Sequence, residues 1–227
     1  MVRGAMVTFL VVVMSVLGGA DWASAEPAVR GRPFDQMIVA PDGSRILRVA
    51  MENPRRANAT VYSVAMRRPI SVTVLVPKDQ STSRPSLYLL DGIDGGLYTN
   101  YTQSGWTFSA DAPAFMADKD VNVVLPIGGT ASYYTDWLAN DPVLGRNKWE
   151  TFLSKELPPL IDARFEGNGV NAIGGLSMGA LGAMSIAVRN PTLYSGVAAF
   201  SGCMDQSAPV SQQATASTIL TRGGNRN

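Results

Sequence analysis

The sequence predicts an α/β fold, a mostly parallel central sheet with helices on both faces, built as one domain. Three observations carry that reading. Short blocks that are apolar throughout recur along the chain, helical segments separate the later ones, and one strand–turn–helix passage holds Gly175-Leu176-Ser177-Met178-Gly179. A strand that alternates apolar with polar residues buries one face, whereas a strand apolar on both sides needs cover on both. The 227 residues suffice for a sizeable core.

The elements follow in order. Arg3, the apolar run Ala5 to Leu17 and the small-residue triplet Ala23-Ser24-Ala25 read as an export signal over residues 1–25. That run is too short to cross a hydrocarbon layer of about 30 Å, so no membrane span is expected after signal cleavage. Residues 26–36, rich in Pro, Gly and Arg, read as an extended leader, and the domain occupies 37–227. Val61–Val64 and Ile70–Val76 alternate as paired strands around the basic turn Arg67-Arg68-Pro69, read as an exposed hairpin. The later blocks Leu87–Leu90, Val121–Pro126, Val170–Ile173 and Val197–Phe200 suit buried parallel strands. Trp149, Phe152, Leu153, Leu157, Leu160 and Ile161 recur at helical steps. Pro158-Pro159 predicts a kink or a new start in that helix. Met178–Arg189, rich in Ala and Gly, predicts a helix pressed closely on the sheet.

Composition narrows the chemistry. Nineteen basic against 18 acidic residues leave a net charge of +1, which offers no footprint for nucleic acid. The single cysteine, Cys203, excludes an internal disulfide and a multi-cysteine metal cluster, and it reads as a small buried side chain. There is no histidine, so these residues build neither a Ser-His-Asp triad nor a histidine metal site.

The passage at 175–179 has the form of a nucleophile elbow. A sharp turn between strand and helix holds the serine in a strained conformation, and the flanking glycines avoid collision. The following helix directs free N–H groups, and the positive end of its dipole, at Ser177. Ser177 is therefore the candidate nucleophile. Stabilising an oxyanion takes two backbone N–H groups. Met178 supplies one, and the glycine-rich loop after an earlier strand, Leu89 to Gly96, presents Ile93 for the other. A serine hydroxyl also needs a base, and in this arrangement the acid and the histidine follow the serine in the chain. The 50 residues after Ser177 offer Asp205 and no histidine.

Tyr88-Leu89-Leu90-Asp91-Gly92, Val123–Gly129, Ser132-Tyr133-Tyr134-Thr135-Asp136-Trp137, Lys148–Leu153 and Gly175–Met178 resemble the antigen 85 mycolyltransferases and related exported actinobacterial esterases. The motifs keep the order of that family over roughly residues 60–205. The resemblance implies an α/β-hydrolase fold and a secreted or cell-envelope enzyme. It further implies transfer of a mycolyl group between trehalose esters, or to cell-wall sugar, through an acyl-serine. By the same resemblance Ser177 is the nucleophile, the amides of Ile93 and Met178 form the oxyanion hole, and Asp91 contacts the sugar headgroup of a glycolipid substrate. Where the family has a sugar-binding arginine this chain has Asp94, and the family's catalytic acid and histidine have no counterpart positions here. The chain is accordingly expected to lack the last strands and the histidine-bearing loop, to be inactive as 227 residues, and to aggregate through an unpaired edge near Val197–Phe200.

Two further readings stay open: a secreted carboxylesterase passing the acyl group to water, and a non-catalytic member binding carbohydrate or matrix protein. Acyl-serine chemistry calls for no metal or organic cofactor. Tyr133, Tyr134 and Trp137 line a pocket or pack a loop, with packing favoured, and Asp136 binds sugar or caps that loop.

Overall fold

The structure is a computed structural model that describes residues 37–202 and 205–225. The export signal and leader expected over 1–36, and Cys203, lie outside the described residues.

Seven strands form one sheet: β1 (Arg45–Asn53), β2 (Arg56–Ser63), β3 (Arg68–Leu75), β4 (Arg84–Leu90), β5 (Asn122–Ile127), β6 (Gly167–Leu176) and β7 (Tyr194–Phe200). Their order is β1-β2-β3-β5-β4-β6-β7. The pairs β1–β2, β2–β3 and β3–β5 are antiparallel, whereas β4–β5, β4–β6 and β6–β7 are parallel. The α/β class holds, but the sheet is evenly mixed rather than mostly parallel. The connections explain this. Two residues join β1 to β2 and four join β2 to β3, and links that short reverse the chain. Only after β4 do helical crossovers allow parallel pairing.

Between β4 and β5 lie two single-turn helices, α1 (Gly105–Phe108) and α2 (Ala112–Phe115). After β5 come α3 (Trp149–Thr151), a widened π turn (Phe152–Glu156) and α4 (Leu157–Phe165), continuous in the chain. The expected kink is this π turn. Pro158 and Pro159 carry no N–H for the carbonyls one turn earlier, and the ladder widens just before them. The elbow helix α5 spans Met178–Arg189, and α6 spans Pro209–Thr221.

Alternation along β4 divides the core. Tyr88 and Leu90 face α3–α5 together with Val124, Ile173, Trp149, Phe152 and Ile186. Leu89 turns to the other face, where Leu75, Val123 and Leu125 meet Ala112 and Trp106 of the short helices. Buried Glu156 of the π turn accepts from the Ser63 hydroxyl at 2.5 Å and from the Ala65 amide at 2.7 Å, which ties the β2–β3 turn to the helical layer. Burial raises its carboxyl above the usual range.

Candidate active site

Three strands end side by side at one edge of the parallel part, and the candidate residues follow them. Leu90 pairs with Gly175, and Leu176 with Phe200, so the loop after β4 and the turn after β6 leave the sheet together. A Cβ placed on Gly92 would stand 3.7 Å from the Ser177 Cβ, in ordinary contact. Residues 85 positions apart are thus brought against each other by sheet register alone.

Ser177 itself sits at φ 55°, ψ −116°, a conformation that disfavours an L side chain. Its amide donates to the Phe200 carbonyl at 2.8 Å, and its own carbonyl accepts from Ala180 at 3.0 Å, which starts α5. Both motif glycines are sterically required. A Cβ on Gly175 would meet the Gly179 carbonyl oxygen at 2.1 Å, and one on Gly179 would meet the Leu90 and Asp91 carbonyl oxygens at 2.5 Å. The glycines let the helix begin directly against the end of β4. Met178 is the first residue of α5, so its N–H has no acceptor within the helix. Its side chain is buried, and its sulfur accepts from the Tyr133 amide at 3.2 Å.

The loop after β4 is fixed from below. The Ile93 carbonyl accepts from Ala131, the Gly95 carbonyl from Gly128, and the Asp94 carbonyl from the Thr130 hydroxyl, all within 2.9 Å. The Asp91 amide donates to the Tyr134 hydroxyl at 3.0 Å, and Tyr134 is fully buried with its ring edge-on to Trp149. Its hydroxyl therefore buttresses the loop, and burial raises its pKa well above the usual phenol value. Among the described residues the Ile93 N–H finds no acceptor.

Asp91 is 2% exposed. One carboxylate oxygen accepts from the Ser104 hydroxyl at 2.8 Å, while the other is buried without a partner. Burial raises its pKa, with the Ser104 hydroxyl and the Gly105 and Trp106 amides pulling the other way. The residue lines a cavity of about 260 Å³, walled also by Gly92, Tyr98, Phe108 and Leu176. A polar floor beneath a mainly apolar wall suits a ligand with a hydroxylated head and a hydrocarbon body.

Asp94 carries a contact that nothing in the local sequence indicates. Arg222, at the end of α6, donates to its Oδ1 through Nη2 at 2.6 Å and Nε at 3.1 Å. Asp136 neither faces a sugar pocket nor caps its own loop; its two oxygens take the Thr151 amide and hydroxyl in the first turn of α3 and tie the loop to the helical layer. Of the basic turn read as exposed, Arg67 is exposed, but Arg68 is half-buried and lines a second cavity. Among the described residues no group of three or more His, Cys, Asp or Glu side chains could hold a metal, and no helix is long and apolar enough to cross a membrane.

Comparison with known proteins agrees with this geometry. The Esterase family matches residues 63–222. The diacylglycerol acyltransferase/mycolyltransferase Ag85A of Mycobacterium leprae is 34% identical over 154 residues, which cover 65% of this chain and 44% of that protein. Ag85B of the same organism is 32% identical over 170 residues, 72% of this chain and 49% of that protein. The chain thus spans a little under half the length of these curated relatives. Among solved structures, Mycobacterium tuberculosis MPT51 (FbpC1) superposes with a TM-score of 0.61 at 31% identity, covering 71% of this chain and 56% of that one. An S-formylglutathione hydrolase from Agrobacterium tumefaciens gives the same TM-score at 21% identity over 74% of this chain and 66% of its own, a likeness of fold alone. With the strand–serine–helix turn inside the matched region, the chain belongs to the Esterase family and is an antigen 85-type member of it.

Proposed function

We propose that Ser177 is the acyl-accepting nucleophile of an exported acyltransferase that moves a long-chain acyl group between sugar esters, trehalose mycolates being the substrate class. The observation that carries this reading is the strained backbone at Ser177 beside the braced 91–96 loop. The Ser177 Oγ attacks the ester carbonyl, and its proton leaves to a base. The carbonyl electron pair moves to oxygen, where the N–H groups of Ile93 and Met178 receive the charge. Each such donor is worth roughly 10²–10³ in rate. Collapse breaks the ester C–O bond and expels the alcohol, which takes up a proton, and leaves acyl-Ser177. A sugar hydroxyl then attacks the acyl carbon and frees the serine. Asp91 accepts hydrogen bonds from the sugar at the floor of the cavity.

The base is not a histidine of these 227 residues. That same fact favours one other reading, a non-catalytic member that binds carbohydrate. A supplied base separates the two. The chain is incubated with a long-chain p-nitrophenyl ester, with and without imidazole, and the Ser177 peptide is weighed. Acylation that depends on imidazole and vanishes in Ser177→Ala supports the transferase. No adduct under any condition refutes it in favour of the binder. Adding trehalose to the acylated chain should yield acyl-trehalose, whereas release of free acid alone assigns a carboxylesterase.

A further inference from the structure

A second cavity, of about 360 Å³, shares no lining residue with the one beside Ser177. It opens between the start of β3, the end of β5 and the 143–149 segment, with Ile70, Ile127, Val143, Leu144 and Trp149 as its apolar walls. Its volume lies within the range of small-molecule sites, roughly 300–1,000 Å³.

One side chain gives this cavity a character. Arg68 lines it, half-buried, and among the described residues no carboxylate lies within ion-pair distance of its guanidinium. Its Nε is buried with no acceptor, and its recorded hydrogen-bond partner is the Met66 thioether at 4.0 Å. A guanidinium half withdrawn from water, with no anion beside it, carries a desolvation cost that no ion pair offsets. Desolvation draws its pKa below the ordinary arginine value, with Tyr101 opposing.

The surroundings add donors. Gly128 and Gly129 turn at φ 122° and 78°, and the Gly129 and Thr130 amides find no acceptor among the described residues. Consecutive amides freed by such a turn form a concavity suited to anions. A side chain is excluded there, since a Cβ on Gly129 would fall 2.9 Å from both the Ser132 hydroxyl and the Trp149 ring. The Tyr101 hydroxyl, bonded to Thr130 Oγ1 at 2.8 Å, completes the polar side.

We propose that this cavity is a binding site for a small organic oxyanion, a carboxylate or phosphate group held by Arg68 and the Gly129–Thr130 amides, with its uncharged body against Val143 and Leu144. The site is separate from acyl transfer, and it stands whether or not Ser177 is acylated. Guanidinium matches both oxyanions through paired N–H bonds, so the two share one chemistry.

The test is calorimetric titration of the whole chain with inorganic phosphate and, separately, with succinate. Saturable binding of either, weakened about tenfold or more in Arg68→Gln, supports the site, and the preferred probe tells phosphate from carboxylate. Thermal unfolding gives a second readout. Phosphate raises the melting temperature of most proteins by exclusion from their surface, so the comparison is between variants at equal phosphate. The wild type should gain more than Arg68→Gln, and without ligand the variant should melt no lower, because it loses a half-buried charge that no carboxylate balances. Equal gains in both proteins, or no saturable binding of either anion, would overturn the proposal.

Discussion

Replacing Gly179 by alanine tests the idea that the serine turn is held by backbone contact with the end of β4. The new Cβ would stand 2.5 Å from the carbonyl oxygens of Leu90 and Asp91, where ordinary contact begins near 3.4 Å. The first turn of α5 must therefore retreat by about 0.9 Å, and neither partner is a side chain that swings aside. Overpacking of this kind costs roughly 1–3 kcal/mol. Alanine returns about 1 kcal/mol of helix propensity, which leaves a net loss of about 0–2 kcal/mol. For a chain of this size that lowers the melting temperature by at most roughly 8 °C. Reactivity should suffer more, since a displacement of about 1 Å at a reacting group costs near 10²-fold. The assay is the imidazole-supported acylation rate of Ser177 beside the melting temperature. Gly196→Ala in β7 is the control, because its Cβ would rest at an ordinary 3.4 Å from the Ala172 Cβ. If Gly179→Ala acylates within about threefold of the wild type, backbone contact does not set the geometry of the turn and the reasoning fails.

Other expectations follow from the same contacts. Ser177→Gly should be more stable than Ser177→Ala by about 1–2 kcal/mol in urea unfolding, because only glycine is unstrained at φ 55°, and equal stabilities would count against strain. Tyr134→Phe keeps the ring contact with Trp149 but leaves the Asp91 amide without its acceptor, so a loss of about 1–3 kcal/mol is expected, and a change near zero would contradict the buttress. The raised pKa of Asp91 means that its stabilising contribution is present below the unfolded value near 4 and is lost as pH rises through the folded one. Asp91→Asn should thus be the more stable form at pH 7, with the difference closing by about pH 3.5. A difference independent of pH would show that ionisation is not its source. A double-mutant cycle on Asp94 and Arg222 should return about 1 kcal/mol or less, since both side chains retain over a fifth of their exposure.

What the sequence discloses and what it hides divide along physical lines. The elbow is legible because its requirements are local: a strand, two glycines with no room for a Cβ, and a helix of small residues. The α5 boundaries follow directly. The β2–β3 hairpin is legible from alternation and its turn, and the double proline marks the π turn. By contrast β1 carries Arg45, Arg48 and Glu52 on a sheet edge, so its pattern is blurred, and the polar helix α6 buries little of itself. The evenly mixed sheet depends on which strands become neighbours, a non-local fact that block composition does not encode. The bond between Asp94 and Arg222 joins residues 128 positions apart, and no spacing rule reaches that far. Arg68 reads as a turn residue because turns are ordinarily solvated, and only the fold of the 128–130 and 143–149 segments encloses it.

The strand order has a consequence for how the chain folds. The ladder β1–β2–β3 pairs each strand with its neighbour in sequence, so it can close as soon as residue 75 has emerged. The inner strand β4 bonds only to β5 and β6, both synthesised later. At about 5–20 residues per second, roughly 4–17 s separate completion of Leu90 from that of Leu176. Throughout that interval the edge of β4 that β6 will cover stays open, and long-range parallel pairing is intrinsically slow to follow. The nucleophile turn therefore forms only once β6 has joined β4, and the interval before it is where a holdase has most to protect.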